Sequence, residues 1–322
     1  MYHAMKQKEK LIILAGPTAV GKTALSIALA KELKGEILSA DSMQIYQYMD
    51  IGSAKITEKE MDGVPHHLID VLKPWQEFNV YSFQRMAKEA MKGIYERGRI
   101  PIVVGGTGFY IQALLYDIDF SSQETGGKLR AQLEEEAREK GCEYLYGKLC
   151  RVDPESAAAI HPHNQKRVIR ALEYYEQNGE TISMHNKRER EKEAAYDSRY
   201  FVLNDTRERL YEGIERRVDA MMAEGLLDEV KSLREMGCER RMVSMQGLGY
   251  KELLSYLDGE ITLREAVDAI KQNTRHFAKR QLTWFRRERD VIWVNKNEFH
   301  YNKEEILHYL SEQCRAKKSV PQ

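Results

Sequence analysis

The sequence predicts an α/β fold in which a parallel sheet is flanked by helices and interrupted by an all-helical insertion. Three observations support this prediction. Apolar, β-prone runs alternate with helical patterns in the first 117 residues, as is typical of parallel strands joined by helices. A glycine-containing loop joins the first predicted strand to the first predicted helix. Between residues 118 and 199 the pattern is charged and helical, with no convincing strand.

The first strand is predicted over Leu11 to Ala15 and leads directly into a phosphate-binding loop. In such a loop, successive N–H groups and the following helix N-terminus point at phosphate oxygens, so the sheet is predicted to be P-loop NTPase-like. Lys22 adds a mobile positive charge, and the Thr23 hydroxyl is suited to hold Mg²⁺. The loop residues that we expect to bind phosphate groups are Gly16, Pro17, Thr18, Ala19, Val20, Gly21, Lys22 and Thr23.

A second strand is predicted over Gly35 to Ala40 and ends at Asp41. The end of a parallel strand is where ligands collect, and a carboxylate there suits either a magnesium ligand or a general base. Ser42 and Gln44 follow. An amide such as that of Gln44 pairs well with an adenine edge, and the competing interpretation is a polar turn that caps the next helix.

A third chemically distinctive strand end follows the β-prone run Ile100 to Val104. It ends in the glycine-rich turn 105–108 and carries no acid, which is unusual for the second motif of a nucleotide hydrolase. The glycines permit close approach of the main chain to a ligand. Thr107 is predicted to donate to a phosphate oxygen, to cap the following helix, or to do both.

Composition limits the class of protein. The 322 residues include 50 basic and 50 acidic side chains, so any contact with a nucleic acid must come from local segregation of charge. The four cysteines show no spacing typical of zinc sites, which favours free thiols in a cytoplasmic protein. No segment resembles a signal peptide or is long and apolar enough to span a membrane, so we expect no membrane partner.

The insertion divides the core into two parts. Charged helical segments such as Lys128 to Lys140 and Asn164 to Gln177 follow a break near Asp119 to Gly127. The runs Tyr200 to Asn204 and Ile292 to Val294 indicate a return to the sheet. The predicted divisions are residues 1–117 for the first part of the core, 118–199 for the insertion and 200–322 for the second part of the core.

The helix predicted over Arg264 to Arg289 separates apolar from basic residues at the helical period. The side predicted to face the core carries Val267, Ile270, Phe277 and Trp284. The opposite side carries Arg275, Lys279, Arg286 and Arg289. In a chain without net charge, a stripe of this kind favours contact with a polyanion over solvated charge.

A second basic patch lies on a predicted helix of the insertion and consists of Lys166, Arg167 and Arg170. Tyr174 and Tyr175 follow on the same helix. They either extend a nucleic-acid surface or pack in the core of the insertion, and the sequence leaves both interpretations open.

Several motifs in this order closely resemble those of the bacterial tRNA dimethylallyltransferases, the IPP transferase family, over nearly the whole chain. The matching segments are residues 16–23, 39–46, 51–55, 65–70, 105–110, 247–252 and 274–286. The phosphate-binding loop is shared by many families, whereas the later blocks in this order are specific. The resemblance implies transfer of a dimethylallyl group from dimethylallyl diphosphate to the exocyclic amine of the adenosine immediately 3′ of the anticodon.

The resemblance also implies roles for particular side chains. Asp41 would remove a proton from the amine, and the phosphate-binding loop would hold the leaving diphosphate. Charge on that diphosphate would be stabilised by Lys22, by Thr23 with Mg²⁺, by Thr107 and by Arg217, with the adjacent Arg216 as an alternative. The residues implied in contact with tRNA are Asp41, Ser42, Met43, Gln44, Thr107, Arg130, Gln165, Lys166, Arg167, Val168, Ile169 and Arg170.

Two other functions compete with prenyl transfer. One is a small-molecule kinase and the other is an NTP-dependent RNA-binding protein. The missing acid after Val104 and the basic C-terminal helix disfavour the kinase, and the lack of a second hydrolase motif disfavours the other. We expect a cytoplasmic monomer that requires Mg²⁺ and acts on tRNA.

Overall fold

The computed structural model describes residues 8–120 and 127–316. Its strands form one six-stranded sheet in the order β3-β2-β4-β1-β5-β6, and every neighbouring pair is parallel. The strands are β1 (Lys10–Ala15), β2 (Gly35–Ala40), β3 (His66–His67), β4 (Ile100–Gly105), β5 (Asp197–Asn204) and β6 (Val291–Asn295). The prediction of a parallel α/β sheet is therefore confirmed.

Helices connect these strands and form the insertion. They are α1 (Lys22–Leu33), α2 (Glu58–Met61), α3 (Val80–Glu96), α4 (Gly108–Leu115), α5 (Gly127–Lys140), α6 (Cys142–Val152), α7 (Pro154–Ala159), α8 (Gln165–Asn178), α9 (Ile182–Glu191), α10 (Arg207–Ala223), α11 (Leu226–Glu235), α12 (Tyr250–Leu257), α13 (Leu263–Phe285) and α14 (Lys303–Arg315). Within the described ranges, none of them has both the length and the apolar character needed to cross a membrane.

Strand order brings the three chemically distinctive strand ends together. β4 lies between β2 and β1, and Gly105 at its end is in register with Ala40 on one side and Ala15 on the other. Neighbouring strands are about 4.8 Å apart. The phosphate-binding loop after Ala15, the Asp41 segment and the glycine-rich turn therefore leave the sheet side by side.

The central strand β1 is apolar from Leu11 to Ala15 because both faces of the sheet are covered. Leu11 to Leu14 of β1 are at most 4% exposed. Leu29 of α1, Phe201 of β5 and Leu310 of α14 are buried in the main core of this sheet. That continuous core holds the strand ends in fixed positions, which a site built at the carboxyl edge requires.

The chain divides into two compact units. One contains the sheet and includes the chain up to Leu115 and from Ala195 onward, and the other extends from Tyr116 to Ala194. β5 begins at Asp197, so the predicted start of the second part of the core at residue 200 falls inside a strand. Most of the predicted break from Asp119 to Gly127 lies outside the described residues.

The second unit contains helices α5 to α9, and its described residues include no strand. Its core is formed by the inward faces of α5, α6 and α8, on which Leu133, Leu145, Leu149 and Leu172 are buried. Tyr174 is buried, and its ring packs beside that of His185, with 5.0 Å between the ring centroids. Tyr174 is thus a core residue of this unit.

The inward face of α13 differs from the prediction. Its buried residues are Ala266, Ile270, Ala278, Gln281 and Phe285. Ile270 is buried as predicted, but Val267, Phe277 and Trp284 are only partly buried, so the predicted core face is wrong at those positions. The prediction placed the large apolar side chains inward, whereas two alanines and the amide of Gln281 occupy inward positions beside Ile270 and Phe285.

The basic side of α13 also needs correction at one residue. Arg275 donates to Glu215 on α10 at 2.8 Å, so its charge is already compensated within the protein. Lys279 is exposed, and Arg286 is exposed directly after the end of the helix. The two exposed cations are therefore better placed than Arg275 to meet a polyanion.

We expect Phe285→Ala to reduce the free energy of unfolding by about 3 to 5 kcal/mol, because its ring is fully buried and its removal leaves a cavity. The matched variant Phe277→Ala should cost about 1 kcal/mol or less, because that ring is half-exposed. Urea denaturation of both variants measures the difference. A larger loss for Phe277→Ala would contradict the observed face of α13.

Candidate active site

The phosphate-binding loop runs from the end of β1 to the start of α1 and depends on two glycines. Gly16 has φ of 149°, and a Cβ atom there would lie 2.6 Å from the Leu203 carbonyl oxygen. Gly21 has φ of 95° at the N-cap of α1, a left-handed conformation that other residues adopt at a cost. The glycines thus let the loop turn sharply in front of the helix N-terminus, where an anion binds favourably.

Lys22 sits at the mouth of this loop and folds back over it. Its Nζ donates to the carbonyl oxygens of Gly16 and Pro17 at 2.9 and 2.8 Å. Loss of solvation, and after it repulsion from Arg217, lower the pKa of Lys22 to about 8 against the opposing attraction to Asp41. An amine so placed gains stabilisation from any anion that enters the loop.

Asp41 lies directly after β2 and close enough to Lys22 and Arg217 for their charges to interact. Burial raises the pKa of its carboxyl group, and the main-chain N–H groups of Met43 and Gln44 and the charge of Lys22 oppose that rise. The Met43 N–H donates to Oδ1 at 2.8 Å, which fixes the orientation of the carboxylate. A fixed carboxyl group with a raised pKa suits proton transfer.

The structure separates Arg217 from its neighbour Arg216. Arg217 is half-buried on α10, where burial lowers its pKa and the charge of Asp41 raises it. Arg216 is exposed. Of the two arginines, Arg217 therefore faces the group formed by Lys22 and Asp41.

The glycine-rich turn after β4 packs tightly against the other two strand ends. A Cβ atom on Gly105 would lie 2.3 Å from the Ala40 carbonyl oxygen, and one on Gly108 would lie 2.2 Å from Trp284. The Thr107 N–H donates to the same Ala40 carbonyl at 3.3 Å. Thr107 is thus held beside the residue that precedes Asp41, and α4 begins directly after it at Gly108.

Two residues to which the sequence analysis gave no role brace the phosphate-binding loop. Gln281 on α13 is buried, and its Oε1 accepts from the Thr18 N–H at 2.9 Å while its Nε2 donates to the Gly106 carbonyl at 3.0 Å. Lys296, just after β6, donates to the Val20 carbonyl at 3.2 Å. Gln281 lies on the same face of α13 as Ala278 and Phe285. A polar residue on the inward face of an amphipathic helix indicates a buried hydrogen bond, but the sequence analysis assigned that face to the bulky apolar residues instead.

The side chain of Gln44 is engaged inside the protein. Its Oε1 accepts from the Ser39 hydroxyl at 2.9 Å, and its Nε2 donates to the carbonyls of Ala54 and Ser53 at 3.2 and 3.4 Å. Pairing with an adenine edge would require these bonds to break, and the contact of Gln44 with tRNA stays a prediction. Ser42 and Met43 are partly exposed beside it.

Within the second unit, α5 and α8 bring together several of the residues implied in contact with tRNA. Arg130, Gln165 and Lys166 line a cavity of about 380 Å³. Val168 and Ile169, however, are 1% and 2% exposed in the core of the unit. Their side chains lie on the inward face of α8, so the exposed side chains of this motif are the ones accessible to tRNA.

The other residues of that motif differ in their surroundings. Gln165, Lys166 and Arg167 are exposed at the start of α8. Arg170 is half-buried and lies 3.4 Å from Glu173, a buried carboxylate one turn further along. The exposed part of the basic patch is therefore confined to the first turn of the helix.

The phosphate-binding loop lies at the carboxyl edge of a parallel sheet, with two cations and a carboxyl group beside it. This combination defines a P-loop-type protein with a site suited to a phosphorylated ligand. Comparison with known proteins narrows this class. Residues 44–288 match the profile of the IPP transferase family, and residues 9–72 match an isopentenyl transferase profile. The chain belongs to the IPP transferase family.

Individual relatives agree with this assignment. The chain is 56% identical over 291 residues to a tRNA dimethylallyltransferase of Lachnoclostridium phytofermentans, covering 90% of this chain and 93% of the relative. A solved tRNA isopentenylpyrophosphate transferase of Bacillus halodurans has 45% identity and a TM-score of 0.72, with 96% and 97% of the two chains covered. A eukaryotic dimethylallyltransferase acting on tRNA has 29% identity and a TM-score of 0.82, with 98% and 81% covered.

The pKa of Lys22 predicts how anion binding depends on pH. The protonated amine binds anions, so affinity is greatest below about pH 8 and falls as pH rises through the pKa of the free protein, which is about 8. Sulfate is a suitable probe because its charge is constant in this range. Its affinity should fall by about tenfold for each pH unit above 8 until Lys22 titrates in the complex.

The control for this titration is Lys22→Arg, whose guanidinium stays charged throughout the range. Sulfate affinity of that variant should be nearly independent of pH. Equal pH dependence in the two proteins would show that another group controls anion binding.

Proposed function

We propose that this chain transfers a dimethylallyl group from dimethylallyl diphosphate to the exocyclic amine of the adenosine immediately 3′ of the anticodon in tRNA. The observation that carries the proposal is the shared location of Asp41, Lys22 and Arg217. A proton acceptor thereby lies beside an anion site with two cations. Membership of the IPP transferase family and the named activity of its relatives support the same reaction.

In this reaction the bond between the allylic carbon and the diphosphate oxygen breaks, and its electron pair goes to the oxygen. Negative charge therefore grows on the diphosphate as the carbon becomes cation-like. We assign Lys22, Arg217 and the N–H groups at the start of α1 to the stabilisation of that charge, because donors and cations held at the leaving group lower the barrier. Thr107 lies at the adjoining strand end and contributes a hydroxyl.

The attacking amine is conjugated to the purine and is a weak nucleophile, so removal of its proton assists attack. Asp41 is the proposed acceptor: its proton affinity is raised by burial, and its orientation is fixed by the Met43 N–H. The new bond joins the amine nitrogen to the allylic carbon, and the proton passes to the carboxylate. Diphosphate leaves as the second product.

Mg²⁺ fits the residues present, and we assign Thr23 as its protein ligand. Thr23 is exposed in the first turn of α1, so its hydroxyl is accessible to an ion held mainly by diphosphate oxygens. When bound, the ion neutralises part of the charge on the leaving group. Thr23 would then orient the diphosphate toward Lys22.

As candidate tRNA contacts we propose exposed cations in each unit separately: Lys279 and Arg286 in the first unit, and Arg130, Lys166 and Arg167 in the second. Each is exposed. Cations of this kind contact phosphates and fix the position of the RNA without reading its sequence. We further propose that the enzyme acts as a monomer in the cytoplasm, where its four unpaired thiols are stable.

The kinase and NTP-dependent RNA-binding alternatives are not favoured. β4 ends in Gly105 and not in the acid that a phosphoryl-transfer enzyme would use to hold its metal. The named relatives are prenyltransferases.

The direct test incubates the purified chain with unmodified tRNA and dimethylallyl diphosphate and follows the mass of the tRNA. We expect a gain of one dimethylallyl group in exchange for one hydrogen. A tRNA with guanosine in place of the adenosine 3′ of the anticodon is the matched control and should stay unmodified. Release of phosphate from ATP without a change in tRNA mass would support one of the alternatives.

Asp41→Ala should lower the single-turnover rate of prenylation by about 10² to 10⁴, because it removes the proton acceptor. The affinity for tRNA should stay within a few-fold of that of the parent. Asp41→Asn keeps the size of the side chain without the carboxylate, so it tests whether the shape of the side chain is sufficient for catalysis. Rapid-quench kinetics and a binding titration give the two numbers. Loss of diphosphate or tRNA binding with an unchanged chemical rate would contradict the role of a base.

Lys279→Gln and Arg286→Gln should each weaken tRNA binding and reduce the slope of log affinity against log salt by about 0.7 to 0.9, because each removes one phosphate contact. Arg275→Gln should change the slope less, because its charge is paired with Glu215. Salt titrations of the three variants measure this order. Three unchanged slopes would place the RNA elsewhere, with Lys166 and Arg167 the next residues to test.

A further inference from the structure

Three side chains capable of binding a metal converge in the second unit. Cys142 and Glu143 occupy the first turn of α6, and His163 lies just before α8. Their ligand atoms all lie within 4.8 Å of one another, and Cys142 Sγ is 3.2 Å from His163 Nδ1. Among the residues described by the structure, no other group of histidine, cysteine and carboxylate side chains meets this geometry.

The scaffold behind this cluster is rigid. Gly141 has φ of 84°, which reverses the chain between α5 and α6 and places Cys142 at the start of the helix. Leu145 and Leu149 of α6 are buried in the core of the unit together with Val168 of α8. The two helices are thus packed together, and the ligands are attached at their adjoining ends.

The segment that carries His163 is held by its own hydrogen bonds. The His163 N–H donates to His161 Nδ1 at 3.2 Å, and the Asn164 N–H donates to the His161 carbonyl at 2.8 Å. The side chain of Asn164 then accepts from the Arg167 N–H at 3.4 Å at the start of α8. His161 therefore holds the main chain at His163 and Asn164, while the ring of His163 contacts Cys142.

We propose that Cys142, Glu143 and His163 form a site for a divalent transition metal of borderline softness, with Zn²⁺ as the ion of best fit. Sulfur and imidazole donors select such ions over Mg²⁺ and Ca²⁺. In tetrahedral zinc sites, sulfur and nitrogen ligands are about 3.5 Å apart, close to the separation of Cys142 and His163. The exposed Glu143 needs only a side-chain rotation to complete the set.

Charge balance supports the same assignment. A thiolate and a carboxylate together neutralise a divalent cation, and neutral imidazole adds no charge. Cysteine binds metal ions as the thiolate, so metal uptake releases a proton and strengthens as pH rises. Three protein ligands leave one coordination position for water, so we expect weaker binding than in four-ligand structural sites.

A metal at this position would join the start of α6 to the segment that leads into α8. The first turn of α8 carries Gln165, Lys166 and Arg167, the exposed residues proposed to contact tRNA. The ion would stabilise this surface of the unit without taking part in the reaction. The site stands apart from the proposed prenyl transfer, and its test does not depend on activity.

The test uses the whole protein, stripped of metal with a chelator and titrated with Co²⁺ and then with Zn²⁺. Co²⁺ should bind one per chain and produce the absorption of a sulfur-to-cobalt transition, which Zn²⁺ then displaces. We expect a dissociation constant for Zn²⁺ of about 10 µM or lower. Zn²⁺ should also raise the unfolding temperature.

Variants decide which residues are responsible. Cys142→Ser and His163→Ala should each weaken Zn²⁺ binding at least about tenfold, and Cys142→Ser should abolish the cobalt–sulfur absorption. The matched control is Cys150→Ser, since that exposed thiol lies on the same helix but outside the cluster. The proposal is overturned if Cys150→Ser loses the absorption, if Cys142→Ser keeps it, or if Zn²⁺ binds the parent only at millimolar concentration.

Discussion

The amide of Gln281 accepts a hydrogen bond from the phosphate-binding loop at Thr18 and donates one to the glycine-rich turn at Gly106. These segments follow β1 and β4, and Gln281 comes from α13, so one side chain fixes three parts of the chain that are distant in sequence. Both of its partners are main-chain groups, which cannot be replaced by substitution. A buried donor or acceptor left unpaired there would cost about 1 to 3 kcal/mol. The position of the loop therefore depends on this contact.

The electrostatics of the resulting site favour the binding of an anion. Burial lowers the pKa of Lys22 and of Arg217, the charge of Arg217 also lowers that of Lys22, and burial raises the pKa of Asp41 beside them. A diphosphate would relieve the repulsion between the two cations. In the proposed reaction the same two cations would stabilise the departing diphosphate, with Lys22 exchanging its bonds to the Gly16 and Pro17 carbonyls for bonds to the anion.

Local signals in the sequence were enough to predict the parallel sheet, the phosphate-binding loop and the position of Asp41 at a strand end. Those features depend on residues that are neighbours along the chain. The inward face of α13 was not predictable in the same way, because the surface it packs against selects Ala278 and Gln281 in preference to Phe277. The internal partners of Gln44 were not predictable either, because Ser53 and Ala54 come from a loop without a regular pattern.

The cluster of Cys142, Glu143 and His163 was not predictable from the sequence for a similar reason. Cys142 at the start of α6 and His163 just before α8 are 21 residues apart, and the packing of α6 against α8 brings them together. Spacing rules detect metal sites whose ligands share one loop or helix. Tertiary contact, and not composition, creates this one.

The measurement that tests the central claim most directly is the affinity for inorganic diphosphate of Gln281→Met, compared with Gln272→Met on the exposed side of the same helix. Both should be measured by calorimetry well below their unfolding temperatures. If Gln281 holds the phosphate-binding loop in place, its loss should weaken diphosphate binding by about tenfold or more, while the Gln272 variant binds like the parent. Unchanged affinity in folded Gln281→Met would contradict the account.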